Sequence, residues 1–321
     1  TDHDFGCNPC SEIILRPYQF CNLSEVVVRE SDTVDTLKEK VRLATILGTF
    51  QATLTNFKYL RKIWKDNTEE ERLLGVSLTG IMDNNLTATA GDKLATVLEL
   101  LKDTAVQTNA AMAKQLFIPQ STAVTCVKPS GTVSQLTDAA SGIHARHNPF
   151  YIRTVRGDNK DPLTQFLMSQ GIPAEADVMK PDSTTVFSFP MKSPHGAVTR
   201  MQMNAIEQLE LWLTYQRHFC EHKPSVTISV KENEWMQVGS WVYDHFDEVS
   251  GISFLPFSEH TYQQAPYQDI DEKEYKEFLT KMPSSVDWSL LQEFEKEDTT
   301  SGGRELACTA GVCEIVDIEA A

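Results

Sequence analysis

The stretch AVTCVKPSGTVS, residues 123–134, indicates the fold class. Its first part, Ala123–Val127, is short, apolar and rich in β-branched residues, which favours a buried strand. Residues 128–134 then supply Lys, Pro, Ser, Gly and Thr, a composition typical of a turn that leads into the next helix. A strand that ends in such a turn is the repeating element of an α/β protein.

The same alternation extends along the chain on both sides. Further strands are predicted at Ser24–Arg29, Leu74–Met82, Thr184–Phe189, Ser225–Val230 and Gly251–Leu255. Helices are predicted at Thr36–Lys65, Gly91–Leu116 and Arg200–Glu221, where apolar residues recur at spacings of three and four. Strands that alternate with helices predict an α/β architecture with parallel strands.

The composition is that of a globular protein with a core. The chain has 321 residues, of which 41% are hydrophobic and 23% charged. This excludes a disordered chain, a collagen-like repeat and a small disulfide scaffold. No apolar run approaches the roughly 20 residues of a membrane helix, so no membrane partner is expected. The net charge is −16, which repels nucleic acid at long range, so no nucleic-acid partner is expected either.

The seven cysteines indicate a reducing compartment. An odd count in a long chain without a secretory leader predicts reduced thiols and a cytoplasmic location. Cys126, in an apolar strand, and Cys220, in an amphipathic helix, are interpreted as buried filler. The chain starts at Thr1 without Met, close to its most reactive motif, which indicates a fragment or one half of a larger protein.

The first motif with chemical potential is Asn8-Pro-Cys10-Ser-Glu12, with Cys21 downstream. Alternate residues of an extended loop point to one side, so the amide, thiol and carboxylate are expected to face one substrate together. A thiol flanked by an amide and a carboxylate suits hydrogen-atom chemistry combined with proton transfer. The alternative is a zinc site from Cys7, Cys10 and Cys21, with a histidine such as His3.

Two further motifs concern phosphate and disulfide chemistry. At the turn after residue 127, backbone N–H groups, hydroxyls and the Lys128 ammonium are expected to bind an anion; the alternative is an ordinary capped turn. Near the other end, Cys308 and Cys313 follow Asp298–Gly303, whose composition predicts a flexible hinge, and paired thiols on a flexible arm suit disulfide exchange. The alternative is two incidental cysteines.

Together these motifs resemble the large catalytic subunit of the ribonucleotide reductases. Asn8-Pro-Cys10-Ser-Glu12 is similar to the family's Asn-x-Cys-x-Glu signature on its finger loop. Residues 128–134 are similar to its substrate-phosphate loop, and Cys308 and Cys313 to its C-terminal shuttle pair. The resemblance covers essentially this whole chain, but only the C-terminal part of the family's length.

The resemblance implies the second half of a ten-stranded α/β barrel, with the catalytic Cys on a finger loop. Residues 1–265 would form the barrel half, with the finger loop at 5–22; 266–300 would be an acidic helical extension, and 301–321 a flexible redox tail. The first half of the barrel, which carries the partner of Cys21 and the effector loops, is absent from this sequence. A partner that supplies this N-terminal half is therefore expected.

The resemblance also implies a role for each site residue. Cys10 would carry the thiyl radical that abstracts the 3′ hydrogen of the ribose, Glu12 would act as base on the 3′ hydroxyl, and Asn8 would bind the ribose. Cys21 would be one of two thiols that reduce the 2′ position, and the tail pair would re-reduce them and pass the oxidation to a thioredoxin-like protein. The substrate phosphates would be held by Lys128, Ser130, Gly131, Thr132 and Ser134.

The short spacing from Cys10 to Cys21 is similar to that of the monomeric, adenosylcobalamin-dependent triphosphate reductases. Adenosylcobalamin is therefore the expected cofactor and a ribonucleoside triphosphate the expected substrate, with no protein-bound metal. The sequence has no Tyr-Tyr pair of the kind that accompanies a radical from a metal-containing subunit. Two alternatives stay open: a reductase that uses such a subunit, and a thiol-rich zinc or redox module without catalysis.

Overall fold

The computed structural model describes residues 4–257 and 263–295. They cluster into two compact units. Unit 1 contains the described residues up to Arg146 together with Pro194–Phe257, and unit 2 contains His147–Ser193 with the described residues from 263 onward. No helix among these residues combines the length and apolar character that crossing a bilayer requires. The domain boundaries predicted at residues 265 and 300 stay predictions.

The regular elements alternate along most of the chain. The strands are β1 (Gly6–Cys7), β2 (Ile14–Leu15), β3 (Asn22–Val27), β4 (Leu74–Thr79), β5 (Phe150–Asp158), β6 (Ala174–Ala176), β7 (Thr184–Lys192), β8 (Val226–Val230), β9 (Ile252–Pro256) and β10 (Tyr267–Asp269). The helices are α1 (Val34–Gln51), α2 (Lys62–Glu71), α3 (Asn85–Ala88), α4 (Asp92–Leu116), α5 (Val133–Leu136), α6 (Pro162–Ser169), α7 (Ala205–His218), α8 (Trp235–Asp244), α9 (Glu272–Leu279) and α10 (Leu291–Phe294).

Unit 1 is organised around parallel strands. β3 pairs with β4, and β8 with β9, both in parallel. The predicted strand at 123–127 lies between these pairs as an extended segment with parallel bridges Val76↔Thr125 and Val127↔Pro224. The predicted α/β class with parallel strands is therefore confirmed in this unit. All six residues of β4 are buried, as expected of an inner strand covered on both faces.

Three helices cover these strands. α1 packs against β3, β4 and α4, and α4 packs against α7. The α7 side chains Trp212 and Tyr215 are fully buried, and their polar atoms bond to backbone: Trp212 Nε1 donates to Pro224 O at 2.8 Å, and Tyr215 Oη to Thr87 O at 3.0 Å. Large aromatic residues are thereby buried with their polar groups satisfied, which anchors α7 to α3 and to the segment before β8.

The single helix predicted over Thr36–Lys65 is wrong. α1 begins after Thr33, whose hydroxyl caps the Thr36 N–H, but it ends at Gln51, and α2 begins only at Lys62. Between them the chain makes successive turns, for example Thr53 N–H to Phe50 O at 3.1 Å and Leu54 N–H to Gln51 O at 2.9 Å. Threonine and asparagine are frequent in this stretch, and both residues lower helix propensity.

Unit 2 contains an antiparallel sheet that the sequence did not predict. Its strand order is β10-β5-β7-β6, and every pairing is antiparallel. The strand predicted at Thr184–Phe189 exists, as the first part of β7, but its assignment to the parallel set is wrong. β5 and β7 are both nine residues long and pair along their full length. An antiparallel pair needs no crossover helix, so the parallel pairing that the sequence suggested fails here.

Candidate active site

Cys10 lies at the tip of a short hairpin in unit 1. β1 and β2 pair antiparallel through Gly6↔Leu15 and Cys7↔Ile14. Within the tip, the Asn8 side-chain oxygen accepts the Ile13 N–H at 3.0 Å, and the Asn8 carbonyl accepts the Ser11 N–H at 2.9 Å. Asn8 thus fixes the loop that presents Cys10. Its Nδ2 donor is the part of the amide that remains for a ligand.

The Glu12 carboxylate is buried beside the thiol. Glu12 is 3% exposed, and its Oε2 atom has no hydrogen-bond partner among the described residues. Its backbone is fixed, because the Glu12 carbonyl accepts the Lys223 N–H at 2.9 Å. A buried carboxylate oxygen without a partner is costly in a purely structural role, so this atom is a candidate for binding a ligand or a proton.

The Cys10 and Cys21 thiols both lie within electrostatic range of the Glu12 carboxylate. Burial and the Glu12 charge raise the pKa of the half-buried Cys10 thiol, and the Lys128 ammonium lowers it in part. Burial and the same Glu12 charge raise the pKa of the Cys21 thiol strongly. Both groups are therefore protonated at neutral pH. Such thiols carry hydrogen atoms and are poor thiolate nucleophiles.

Cys126 lies next to the site. Sequence reasoning interpreted it only as a buried core residue and missed this position. Burial raises the pKa of the Cys126 thiol, with further contributions from Cys220, Cys21 and Glu12. A Cβ placed on Gly75 of β4 would lie 3.3 Å from Cys126 Sγ and 2.4 Å from Leu23 Cδ2. Glycine is therefore required at residue 75, where the Leu23 and Cys126 side chains approach the β4 backbone. An isolated glycine in a buried strand is the sequence signal for such a close approach.

The predicted phosphate loop forms a turn before the short helix α5. Ser130 has a φ of 56°, in the left-handed region, and its buried Oγ atom has no hydrogen-bond partner among the described residues. Gly131 and Thr132 are exposed, and open space surrounds the Gly131 Cα. Ser134 is different, because its hydroxyl bonds to Ser130 O and, at 2.9 Å, to Ser141 Oγ. Ser130 and Thr132 are thus better placed than Ser134 to hold an anion.

The Lys128 ammonium is already paired in this structure. Its Nζ atom lies 2.9 Å from Glu25 Oε2 on β3. Sequence reasoning did not single out Glu25. The available signal was one acidic residue directly before the apolar run at 26–28, inside a predicted strand, where a buried charge needs a partner.

His222 is a second residue that sequence reasoning missed. Its Nδ1 accepts the Ile14 N–H at 3.4 Å, and its Nε2 lies 2.9 Å from Leu74 O. The ring therefore connects the base of the Cys10 hairpin to β4. Burial lowers the pKa of His222 to about 4, so the ring is neutral at neutral pH, with Nε2 as donor and Nδ1 as acceptor.

The zinc alternative receives no support from the described part of the chain. Within residues 4–257 and 263–295, no group of three His, Cys, Asp or Glu side chains is arranged to hold a metal ion. Cys7 is exposed, and its Sγ lies 3.7 Å from Ser11 Oγ. The predicted shuttle cysteines, Cys308 and Cys313, lie outside the described residues.

Comparisons with known proteins agree with the resemblance that the motifs carry. No family model matches the chain. An adenosylcobalamin-dependent ribonucleoside-triphosphate reductase of Euglena gracilis is 29% identical over 289 residues, covering 88% of this chain and 39% of that protein. The reductase of the same name from Lactobacillus delbrueckii subsp. bulgaricus is 27% identical over 348 residues, covering 97% of this chain and 45% of that protein.

A solved structure gives the same result for the fold. The crystal structure of a B12-dependent, class II ribonucleotide reductase matches 92% of this chain with a TM-score of 0.78 and 24% sequence identity, and 44% of that chain is covered. The chain thus spans less than half the length of the relatives that it matches. Over nearly its whole length, the chain is a homologue of the adenosylcobalamin-dependent ribonucleoside-triphosphate reductases.

Proposed function

We propose that the chain is the C-terminal half of an adenosylcobalamin-dependent ribonucleoside-triphosphate reductase and reduces ribonucleotides to deoxyribonucleotides. One observation carries the proposal: Cys10 lies at a hairpin tip beside a buried carboxylate, Glu12, whose Oε2 atom has no partner among the described residues. A thiol and a carboxylate base in electrostatic range are the two groups that radical chemistry at a ribose hydroxyl requires. The homologues bear the name of this activity.

Each residue contributes a defined part. The Cys10 thiyl takes the hydrogen atom from the ribose 3′ carbon, and Glu12 accepts the proton of the 3′ hydroxyl. Asn8 donates to the ribose through Nδ2. Cys21 is one of the two thiols that supply two electrons and two protons as the 2′ hydroxyl leaves as water, and they become a disulfide. The raised pKa of Cys21, caused by burial and Glu12, keeps this thiol protonated for that step.

The substrate phosphates bind at the turn after residue 127. Ser130 Oγ is buried without a hydrogen-bond partner among the described residues, and Thr132 is exposed beside it. These hydroxyls, the amides around Gly131 and the Lys128 ammonium are the donors that a triphosphate requires. Ser134 holds the turn together through Ser130 O and Ser141.

Adenosylcobalamin, when bound, supplies a carbon-centred radical to the enzyme. The residues present fit such a radical source at Cys10, because this thiol is half-buried at the hairpin tip, whereas Cys126 is fully buried. Cys308 and Cys313 re-reduce the active-site disulfide and pass the oxidation to a thioredoxin-like protein. The N-terminal half of the same reductase supplies the partner thiol of Cys21.

Reconstitution tests the proposal. The chain is combined with its candidate N-terminal half, a labelled ribonucleoside triphosphate and a dithiol, with and without adenosylcobalamin, and deoxynucleotide is measured. We expect product only with both halves and the cobalamin. Product that instead requires an iron or manganese protein would replace the cobalamin assignment with a metal-subunit radical. Absence of product from correctly folded halves, together with stoichiometric zinc, would replace the reductase with a zinc module.

A further inference from the structure

Three polar residues, Glu25, Ser77 and Lys128, contact one another across three neighbouring segments of unit 1. In the β3–β4 register Glu25 lies opposite Ser77, two residues beyond the pair Leu23↔Gly75. Ser77 is fully buried, and its hydroxyl accepts the Lys128 N–H at 2.9 Å. The Lys128 side chain then reaches Glu25, with Nζ 2.9 Å from Oε2. Lys128 is thus held by its backbone on β4 and by its ammonium on β3.

The pair is withdrawn from solvent but incompletely bonded. The side chains of Glu25 and Lys128 are 5% and 21% exposed. Neither Glu25 oxygen has a hydrogen-bond partner among the described residues, so Oε2 contacts the ammonium as an ion pair alone. A buried ion pair is weak evidence for a role in stability, because the cost of desolvating both charges offsets their attraction. Backbone bonds place the pair near the hairpin tip, because the Val127 N–H donates to Lys223 O at 3.2 Å and the Lys223 N–H donates to Glu12 O at 2.9 Å.

We propose that Glu25 is a positioning residue of this site, which holds the Lys128 ammonium in place and sets the net charge that Cys10 experiences. The inference deepens the proposed function, on which the identification of Cys10 as the reacting thiol rests. Glu25 acts through Lys128 and not on the substrate. Lys128 in turn connects the phosphate turn, which follows it directly, to the thiol.

The electrostatics of Cys10 agree with this geometry. Burial and the Glu12 carboxylate raise the pKa of the Cys10 thiol, and the Lys128 ammonium lowers it. Within residues 4–257 and 263–295, Glu12 and Lys128 are the charged groups that shift the pKa of this thiol. If Glu25 is neutralised, the ammonium is no longer held on β3 and can approach Cys10, so its lowering effect on the pKa of that thiol increases. If Lys128 is removed, Glu12 acts unopposed.

Site-resolved alkylation tests the proposal without turnover. The 321-residue chain carries Cys7→Ser; trypsin does not cleave the Arg16–Pro17 bond and releases residues 1–29, in which fragment ions distinguish Cys10 from Cys21. The rate of Cys10 modification by iodoacetamide is followed against pH by mass spectrometry. We expect Glu25→Gln to lower the pH midpoint by roughly 0.5–1 unit, which is about a three- to tenfold faster reaction at a fixed pH below the midpoint. Lys128→Met should raise it.

Matched variants separate positioning from general effects. Glu39→Gln removes an exposed carboxylate that pairs with Arg42 on α1, and it should leave the midpoint unchanged. Glu25→Asp keeps the charge and should retain most of the wild-type midpoint. If Glu25→Gln fails to fold, Glu25→Met, which is also uncharged, is compared with Glu39→Gln in its place. In the double variant Glu25→Gln/Lys128→Met, the midpoint should equal that of Lys128→Met alone.

Two results would overturn the proposal. One is a pH midpoint in folded Glu25→Gln equal to that of Glu39→Gln. The other is a midpoint in Glu25→Gln/Lys128→Met that is lower than that of Lys128→Met. The readout is independent of reductase activity. If the midpoints shift as expected and no deoxynucleotide forms on reconstitution, the positioning role stands and the proposed function fails.

Discussion

Unit 1 contains two buried carboxylates in opposite surroundings. Asp83 is 2% exposed and fully bonded: Arg146 donates to its Oδ1 and Oδ2 at 2.8 and 2.9 Å, and the Ala140 N–H donates to Oδ2 at 2.9 Å. Glu12 is 3% exposed, yet its Oε2 atom has no partner among the described residues. The two carboxylates are thus equally buried, but Asp83 is held by hydrogen bonds, whereas Glu12 Oε2 can still accept one from a ligand. Unsatisfied groups of this kind concentrate at functional sites.

The largest difference between Glu12 and Asp83 is expected in the effect of their substitution on kcat. Glu12→Gln removes the base while keeping the shape, so we expect the reconstituted enzyme to lose roughly 10²–10⁴-fold in kcat. The free energy of unfolding of the chain should change by less than about 1 kcal/mol, because no hydrogen bond to Oε2 is lost. Steady-state kinetics and urea unfolding check the two parts. Unchanged kcat would remove Glu12 from the chemistry.

Asp83→Asn should have the opposite signature. It leaves the buried Arg146 guanidinium without a full counter-charge, so we expect a loss of about 3–5 kcal/mol in the free energy of unfolding. Asp138→Asn is the matched control: Asp138 also pairs with Arg146, at 2.9 Å, but its side chain is 58% exposed. This change should cost less than about 1 kcal/mol. Equal losses in the two variants would contradict the structural role of Asp83.

The hairpin that carries Glu12 should also respond to pH through His222. Burial holds the pKa of His222 at about 4, below its ordinary 6.5. The unfolded chain therefore binds the proton first, and the stability that His222 contributes is present above about pH 6.5 and lost as the pH falls towards 4. The full loss is about 3 kcal/mol.

Urea unfolding between pH 7 and 4 measures this loss, with His222→Gln and His195→Gln as the matched pair. His195 is 99% exposed. The pH dependence should become shallower in the first variant and remain that of the wild type in the second. The same slope in His222→Gln and the wild type would show that the ring is not held neutral.

The smallest effects are expected at the phosphate turn. Ser130→Ala and Thr132→Ala each remove one hydroxyl donor, so nucleotide binding should weaken by about 1.5–3 kcal/mol for each. Ser134→Ala removes internal bonds of the turn and should mainly lower stability. Equilibrium binding of a labelled nucleotide measures the difference, with the exposed Thr96→Ala on α4 as control. Stronger weakening by Ser134→Ala would reverse the assignment within the loop.

The sequence predicted those parts of the site that are contiguous along the chain. Cys10, Glu12 and the turn at 128–134 are local motifs, and the strand positions of unit 1 follow from β-branched runs. Glu25, Cys126 and His222 could not be placed in this way. Their roles depend on β3, β4 and residue 222 meeting in space, and the β3–β4 register is formed by segments about 50 residues apart.

The errors have a similar origin. The helix predicted over Thr36–Lys65 continues the apolar periodicity of α1 through a stretch that folds into turns, where local threonine and asparagine preferences prevail. The antiparallel pairing of β5 with β7 was missed because strand patterns alone do not give direction. The helix predicted at Arg200–Glu221, between the strands predicted at 184–189 and 225–230, suggested a parallel crossover, yet the first of these strands belongs to β7 and pairs antiparallel with β5, which the sequence did not predict.

The central claim is that Cys10 is the reacting thiol, and a single-turnover experiment tests it most directly. The pre-reduced chain, reconstituted with its N-terminal half and adenosylcobalamin, is mixed with a labelled ribonucleoside triphosphate without external reductant. We expect about one deoxynucleotide per enzyme from Cys308→Ser, up to about two from the wild type and from Cys7→Ser, whose intact tail pair supplies two further electrons, and none from Cys10→Ser. Deoxynucleotide formed by folded Cys10→Ser in wild-type amount would contradict the account.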